Sequence, residues 1–237
     1  DFKPVIVFGT GSYISFPAVL AACLKGVPSM IHESNAKFGL GNRLCARFAS
    51  GTALGLPVKD NPFKAKSELT GTPIRETFST RTDPAEARAL LGLKEGEPVL
   101  LVTGGSQGAM RLNRAVAAAV KKMKGKGLAF QVLHLTGKRD YANTLEHYSR
   151  LGLAGDPFIK IMDYREDMNT LYAAAGLVCS RSGSTVTELI YLKKPAILVP
   201  LPTSGGGHQL ENAKVMAEAG AAVIAASAAG SKGGSRK

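Results

Sequence analysis

Short apolar runs rich in β-branched residues alternate with helical patterns along most of the 237-residue chain. Parallel strands need a long crossover between them, usually a helix, so this alternation is typical of βα units around a parallel sheet. The sequence therefore predicts the α/β class with parallel sheets. The predicted strands are residues 4–8, 29–32, 99–103, 131–135, 158–162, 177–179, 196–200 and 222–225.

Helical periodicity separates several of these strands. Residues 167–175 and 185–192 predict two short helices, and another helix is predicted to begin at Pro84, with Asp83 as its cap. A longer helix is predicted over residues 111–123. Its apolar positions fall on one face: Ala115, Val116, Ala119, Val120 and Met123.

A domain boundary is predicted between residues 71 and 83, where a segment rich in Pro, Lys and Asn gives way to the helix at Pro84. Two domains are therefore expected, over residues 1–75 and 76–226. Residues 227–237 are mainly Ala, Gly, Ser and Lys, and they are too polar and small to bury a core. We interpret this tail as disordered or foreign to the fold.

Composition narrows the classes of partner. The chain carries 30 Lys and Arg against 18 Asp and Glu, a net charge of +12, which favours an anionic membrane surface, a phosphorylated substrate or nucleic acid. Nucleic acid is the least supported, because Trp is absent and no aromatic-basic ladder occurs. The three cysteines form no CxxC pair, and no apolar run approaches the ~18 residues of a membrane span.

Three predicted strands end in Gly/Ser turns that lead into helices, at residues 9–13, 104–108 and 180–185. Glycine lets a phosphate approach the backbone closely, and the free N–H groups of a helix N-terminus carry partial positive charge. None of the turns is a Walker A loop or a complete GxGxxG. Because the carboxyl ends of parallel strands meet in one crevice, three such turns favour a nucleoside diphosphate ligand.

Polar residues near these turns each have two interpretations. Thr185 and Glu188 fit a capping box, yet Glu188 could instead bind the vicinal hydroxyls of a ribose. Gln209 follows a glycine run and belongs to either a plain surface loop or a sugar-binding loop. Arg75 is either an ordinary surface arginine or a clamp on a diphosphate.

Four polar residues, His32 to Asn35, follow a predicted strand. Ala36 stands where an HExxH motif needs its second histidine, so a zinc peptidase is rejected. The chain also contains no Asp-x-Asp, which argues against a carboxylate-held divalent cation bridging a diphosphate.

Seven motifs between about Pro4 and about Ala225 resemble those of the MurG family of glycosyltransferases, in the same order. They are GTGSYIS, HESN, GTPIR, LLVTGGSQGA, SRSGSTVTE, PAILVPLP and HQLENA. The resemblance implies a GT-B fold, in which two Rossmann-like domains face a cleft. Residues 1–75 would then be the C-terminal part of the acceptor-side domain and residues 76–226 the donor domain.

The resemblance also implies an activity and a location. N-acetylglucosamine would pass from UDP-N-acetylglucosamine to undecaprenyl-pyrophosphoryl-muramoyl-pentapeptide in peptidoglycan synthesis, with inversion at the anomeric carbon. The donor grip would use neither a metal ion nor a cofactor. The protein would lie peripherally on the anionic cytoplasmic face of the bacterial inner membrane.

Residue roles follow from the same resemblance. Glu188 would bind the ribose, Arg165 would read uracil through main-chain groups, and Asn35 and Gln209 would contact the N-acetylglucosamine. The donor phosphates would be held by side chains and by amides at a helix N-terminus: Arg75, Ser106, Gln107, Ser184, Thr185, Val186 and Thr187.

On the acceptor side, Gly11, Ser12 and Tyr13 would face the acceptor's pyrophosphate. Glu33 is a candidate for taking the acceptor proton only if it points into the cleft, and the histidine of the family's first glycine-rich loop is the rival candidate. The chain departs from the family pattern at Ser12 and Phe16, where the family has GxGGYxSxP, and at Ser34, where it has HEQN.

The family's first glycine-rich loop, with its histidine, and its closing C-terminal helices have no counterpart in this sequence. We therefore expect an interior fragment that binds donor without measurable transfer, and whose incomplete sheet exposes residues 5–8 and 30–31. Two alternatives stay open. One is a related GT-B glycolipid synthase, and the other is a non-catalytic UDP-sugar-binding subunit that needs a partner.

Overall fold

The computed structural model describes residues 3–105, 107–127, 129–202 and 205–225. Ten strands lie within these ranges: β1 (Val7–Gly9), β2 (Ser29–Glu33), β3 (Gly51–Leu54), β4 (Ser67–Leu69), β5 (Val99–Thr103), β6 (Gln131–Leu135), β7 (Ile159–Met162), β8 (Leu177–Ser180), β9 (Ala196–Leu198) and β10 (Ala222–Ile224). Eight α-helices lie within the same ranges: α1 (Ser15–Leu24), α2 (Leu40–Phe48), α3 (Pro84–Leu90), α4 (Met110–Lys124), α5 (Tyr141–Arg150), α6 (Met168–Ala174), α7 (Thr185–Tyr191) and α8 (His208–Glu218).

The strands form two sheets in which every pairing is parallel. The first sheet has the order β1-β2-β3-β4, and the second has the order β10-β9-β8-β5-β6-β7. In the second sheet the strand order reverses beside β5, as it does in doubly wound folds. The predicted α/β class with parallel sheets is confirmed.

The chain divides into two compact units. The first contains residues up to Ile74 together with Ser182–Glu188 and Leu201–Ala219. The second contains Arg75–Arg181, Leu189–Pro200 and residues from Gly220 onward. The expected domain limits, 1–75 and 76–226, stay a prediction, and the tail at 227–237 lies outside the described residues.

In the first unit, α1 and α2 cover one face of the small sheet. Val19, Ile31 and Cys45 lie in its core, and each of these side chains is fully buried. Val5 and Phe8 are exposed, as expected, and Val5 is 85% accessible. The expectation that residues 30–31 are exposed is wrong for Ile31, because the two helices pack over that side chain.

In the second unit, α4 packs on the large sheet with a buried face that the sequence predicts only in part. Val116 and Val120 are buried as predicted, whereas Ala115 and Ala119 are exposed. The buried stripe instead includes Asn113. A prediction from apolar residues alone leaves Asn113 out of the buried face, because the burial of an asparagine depends on hydrogen-bond partners from other elements.

Helix α3 begins as predicted. Asp83 accepts hydrogen bonds from the amides of Ala85 (2.8 Å) and Glu86 (3.0 Å), and Pro84 is the first helical residue. Within the described residues, no helix has both the length and the apolar character needed to cross a bilayer.

Candidate functional site

Glu33, in the first unit, ends β2 with its carboxylate turned into the protein. The side chain is 2% exposed and accepts four hydrogen bonds. Oε1 accepts from the backbone N (3.0 Å) and Nδ2 (2.9 Å) of Asn35, and Oε2 accepts from the Gly39 amide (2.9 Å) and Asn42 Nδ2 (2.9 Å). A carboxylate offers about four lone-pair positions, so these bonds use its accepting capacity. The geometry therefore argues against Glu33 as the proton acceptor and gives it a role in orienting Asn35.

Asn35 is held at both ends of its side-chain amide. Its Nδ2 donates to Glu33, and its Oδ1 accepts from Asn212 Nδ2 at 3.1 Å. Asn212, on α8, is 2% exposed and also donates to the Ser182 carbonyl (3.1 Å), while its Oδ1 accepts from the Ala36 amide (2.8 Å). Asn212 thus joins three segments that the sequence holds far apart.

The role of Asn212 is not predicted from the sequence. Its only signal is its place in HQLENA, three residues after Gln209, which puts both residues on neighbouring positions of one helix face. Gln209 itself is half-buried at the start of α8, and its Oε1 accepts from the Leu201 amide at 2.9 Å.

The turn after β1 contains the predicted acceptor residues. Gly11 has φ +116° and Ser12 has φ +68°, both in the region that favours glycine. Ser15 Oγ donates to the Gly11 carbonyl at 2.5 Å, and a Cβ on Gly41 would lie 3.0 Å from the Ser12 carbonyl carbon. Helices α1 and α2 therefore hold the turn tightly, while Tyr13 is 63% exposed.

Residues 182–188, also in the first unit, lead into α7. Thr185 is the first residue of that helix. The amides of Val186 and Thr187 already donate to the carbonyls of Gly183 and Ser184, each at 3.1 Å. These two amides are therefore already engaged within the segment. Glu188 lies in the first turn, partly buried.

The second unit contains the glycine turn after β5. The Gly105 amide donates to Thr103 Oγ1 (3.3 Å), and the Gly108 amide donates to the Gly105 carbonyl (2.9 Å). Gln107 is exposed, as are Arg75 and Arg165 elsewhere in the unit. Ser106, the predicted phosphate ligand, lies outside the described residues. Because the backbone bond from Gly108 to Gly105 closes the turn without using a side chain, the exposed Gln107 side chain is available to a ligand.

No metal centre is recognisable among the described residues, where no three His, Cys, Asp or Glu side chains are grouped as ligands would be.

Comparison with known proteins gives family matches over most of the chain. Residues 99–230 match the glycosyltransferase family 28 C-terminal domain, and residues 1–54 match the family 28 N-terminal domain. A relative from Halothermothrix orenii, named UDP-N-acetylglucosamine--N-acetylmuramyl-(pentapeptide) pyrophosphoryl-undecaprenol N-acetylglucosamine transferase, is 43% identical over 230 residues. That match covers 94% of this chain and 62% of the relative. A protein of the same name from a Nocardioides species is 41% identical over 226 residues, covering 94% of this chain and 59% of its own length.

Solved structures agree with these matches. Acinetobacter baumannii MurG has a TM-score of 0.74 at 29% identity, with 94% of this chain and 60% of that chain covered. The Methanocaldococcus jannaschii UDP-GlcNAc 2-epimerase, solved with UDP-GlcNAc and UDP, has a TM-score of 0.57 at 16% identity, covering 94% of this chain and 64% of that chain, and shares the fold alone.

This chain spans about 60% of the length of the relatives it matches. The family match nevertheless covers more than half of the chain, and the relatives' similarity extends over nearly all of it. The chain therefore belongs to glycosyltransferase family 28, within its MurG family.

Proposed function

We propose that the chain forms the donor-binding part, and some of the acceptor-binding part, of an inverting UDP-N-acetylglucosamine transferase. The acceptor is undecaprenyl-pyrophosphoryl-muramoyl-pentapeptide. The observation that carries this proposal is the similarity, at 34–43% identity over nine-tenths of the chain, to proteins named for that reaction.

The donor's pyrophosphate needs positive charge and hydrogen-bond donors. Gln107 and Arg75 are exposed on the second unit and can supply both, and Ser106 completes the predicted set. The amides of Ser184 and Thr185, at the start of α7, would donate to phosphate oxygens, as the resemblance implies. Glu188 takes the ribose hydroxyls, and Arg165 marks the uracil subsite. The amides of Val186 and Thr187 contribute to phosphate binding indirectly, because their hydrogen bonds to Gly183 and Ser184 hold the segment at the start of α7 in place.

The sugar is recognised by side-chain amides. Asn35 is fixed by Glu33 and Asn212, so its orientation is set before the donor arrives, which reduces the entropy lost on binding. Gln209 is anchored by its carbonyl oxygen to the Leu201 amide. The turn of Gly11, Ser12 and Tyr13 offers its backbone to the acceptor's pyrophosphate.

In the reaction, the acceptor hydroxyl oxygen forms a bond to C1 of the sugar while the bond from C1 to the β-phosphate oxygen breaks. UDP leaves with an additional negative charge. Helix N-terminal amides and Arg75 stabilise that charge, as preorganised donors do at developing anions, without a metal ion or cofactor. The hydroxyl proton goes to a base other than Glu33, whose oxygens are already engaged.

We infer the location from the reaction proposed by similarity, whose acceptor is lipid-linked: the chain would lie peripherally on the cytoplasmic face of the inner membrane. The excess of 30 basic over 18 acidic residues is compatible with that anionic surface.

Titration calorimetry with UDP and UDP-N-acetylglucosamine tests the sugar subsite. Asn35→Ala should leave UDP affinity within two-fold and weaken UDP-N-acetylglucosamine by about 1 kcal/mol, roughly five-fold, for the hydrogen bonds lost. Asn61→Ala is the matched control, because the hydrogen bond that the Asn61 side chain accepts is local, from the Phe63 amide. If Asn35→Ala weakened the binding of UDP and of UDP-N-acetylglucosamine by the same factor, the proposed sugar contact would be contradicted.

A further inference from the structure

Two glycine turns of the second unit contact each other backbone to backbone. One is the turn after β5, ending at Gly108, and the other is the turn after β6, at Thr136 and Gly137. A Cβ on Gly108 would overlap the Thr136 carbonyl oxygen, and a Cβ on Gly137 would overlap the Gly108 amide nitrogen. Both glycines also have φ +82°. Neither position can hold a side chain without moving the turns apart.

A buried side chain on the helix that follows the turn after β5 hydrogen-bonds to the turn after β6. Asn113 lies in the first turns of α4, which follows the glycine turn directly, and it is fully buried. Its Nδ2 donates to the Thr136 carbonyl (2.9 Å) and to Asp140 Oδ2 (2.7 Å). The carboxylate of Asp140 also accepts from Thr144 Oγ1 at 3.1 Å, so α5 joins the same cluster.

His134 fixes the other end of the Asn113 amide. It is fully buried on β6, with Nε2 3.1 Å from Asn113 Oδ1 and Nδ1 2.9 Å from the Tyr148 hydroxyl. Asn113 uses its nitrogen to donate, so its oxygen must accept and Nε2 must carry the proton. Nδ1 then accepts from Tyr148. Burial lowers the pKa of His134 to about 4, although Asp140 opposes the shift, so this neutral tautomer is the form at pH 7.

These bonds do more than fill the core. Apolar side chains of similar size would fill the same space without needing partners, whereas a fully paired polar cluster fixes one geometry. The hydrogen bonds of this cluster link β6 and the turn after it to α4 and α5; its members are Asn113, His134, Thr136, Asp140, Thr144 and Tyr148. Gly108 packs directly against the turn after β6.

We propose that Asn113 and His134 are positioning residues, whose buried hydrogen bonds hold the turn after β6 against Gly108 and thereby set the shape of the phosphate-binding turn after β5. The identity of the ligand rests on the proposed function, but the positioning of the turn does not.

The test compares Asn113→Ala with Val120→Ala in the full chain. Val120 is a fully buried residue on the same helix with no part in the cluster, so both variants lose core contacts. Native-state hydrogen exchange is measured at the Gly108 amide, which donates to Gly105 across the turn. Asn113→Ala should speed that exchange at least ten-fold relative to the β5 amides, and Val120→Ala should change both in parallel.

UDP affinity, measured by calorimetry on the same samples, is the second readout. Asn113→Ala should weaken UDP at least ten-fold, while Val120→Ala stays within two-fold. Unchanged Gly108 exchange in Asn113→Ala overturns the positioning role whatever the ligand. If Gly108 exchange rises but the wild-type chain binds no UDP, the positioning role stands and the proposed function fails.

A second variant covers the case in which Asn113→Ala does not fold. Gly137→Ala leaves every side chain of the cluster in place and acts only where the turns touch. It should also speed Gly108 exchange and weaken UDP at least ten-fold. Wild-type exchange and affinity in Gly137→Ala would overturn the proposal.

Discussion

Lowering the pH from 7 to 4.5 should destabilise the second unit through one side chain, His134. Burial lowers its pKa from an ordinary 6.5 to about 4 in the folded chain. Between these values the unfolded chain binds more protons than the folded chain, so stability falls as the pH falls. The free energy of unfolding that depends on neutral His134 is fully present above pH 6.5 and is lost as the pH approaches 4. At about 1.4 kcal/mol for each pKa unit, the full effect is about 3 kcal/mol.

The assay is urea unfolding at several pH values between 7.5 and 4.5, with hydrogen exchange of the β6 amides to assign the change to this unit. His134→Asn, which cannot titrate, should lose most of the pH dependence in this range. His147→Asn, on α5 of the same unit, should keep it. Asp156 does not interfere: burial raises its pKa, but Lys124 and the Phe158 amide together bring it below its ordinary 3.8, outside the window. Equal pH dependence in wild type and His134→Asn would refute the reasoning.

Three further outcomes are expected. Glu188→Ala should weaken UDP by about 1.5–3 kcal/mol, the range for hydrogen bonds to charged groups, and unchanged affinity in calorimetry with intact folding would assign Glu188 to helix capping alone. UDP-N-acetylglucosamine binding should persist in EDTA, because amides and Arg75 supply the positive charge, and a strict need for magnesium or manganese would contradict those roles. Ser12→Gly should raise the free energy of unfolding by about 0.5 kcal/mol in thermal denaturation, since relief of the positive φ slightly exceeds the entropy that glycine adds. A lower melting temperature would contradict that strain.

Much of the fold follows from local pattern. Strands β5, β8 and β9 in the middle of the large sheet are largely apolar runs, because central parallel strands are buried on both faces. The ends of all six strands of this sheet lie within one or two residues of the predicted positions. Strands β3 and β4 are not predicted. They are only four and three residues long, and their polar or small residues become strand only through pairing with β2 and each other.

The sequence predicts the motifs of the candidate site but not the contacts that hold its residues in place. Glycine turns and polar residues such as Asn35 are recognisable because they follow apolar runs. The partners that hold them are not, since Asn212 meets Ala36 across 176 residues of sequence. Asn113 and His134 look like ordinary polar residues until the fold brings their partners to them.

Binding of UDP compared with ADP and GDP tests the central claim most directly. Isothermal calorimetry on the intact chain measures all three ligands under identical conditions. If the motifs form a uridine diphosphate site, UDP binds more tightly than either purine nucleotide, and Glu188→Ala reduces that preference. Equal affinities for the three nucleotides, or no UDP binding by the folded chain, would contradict the account.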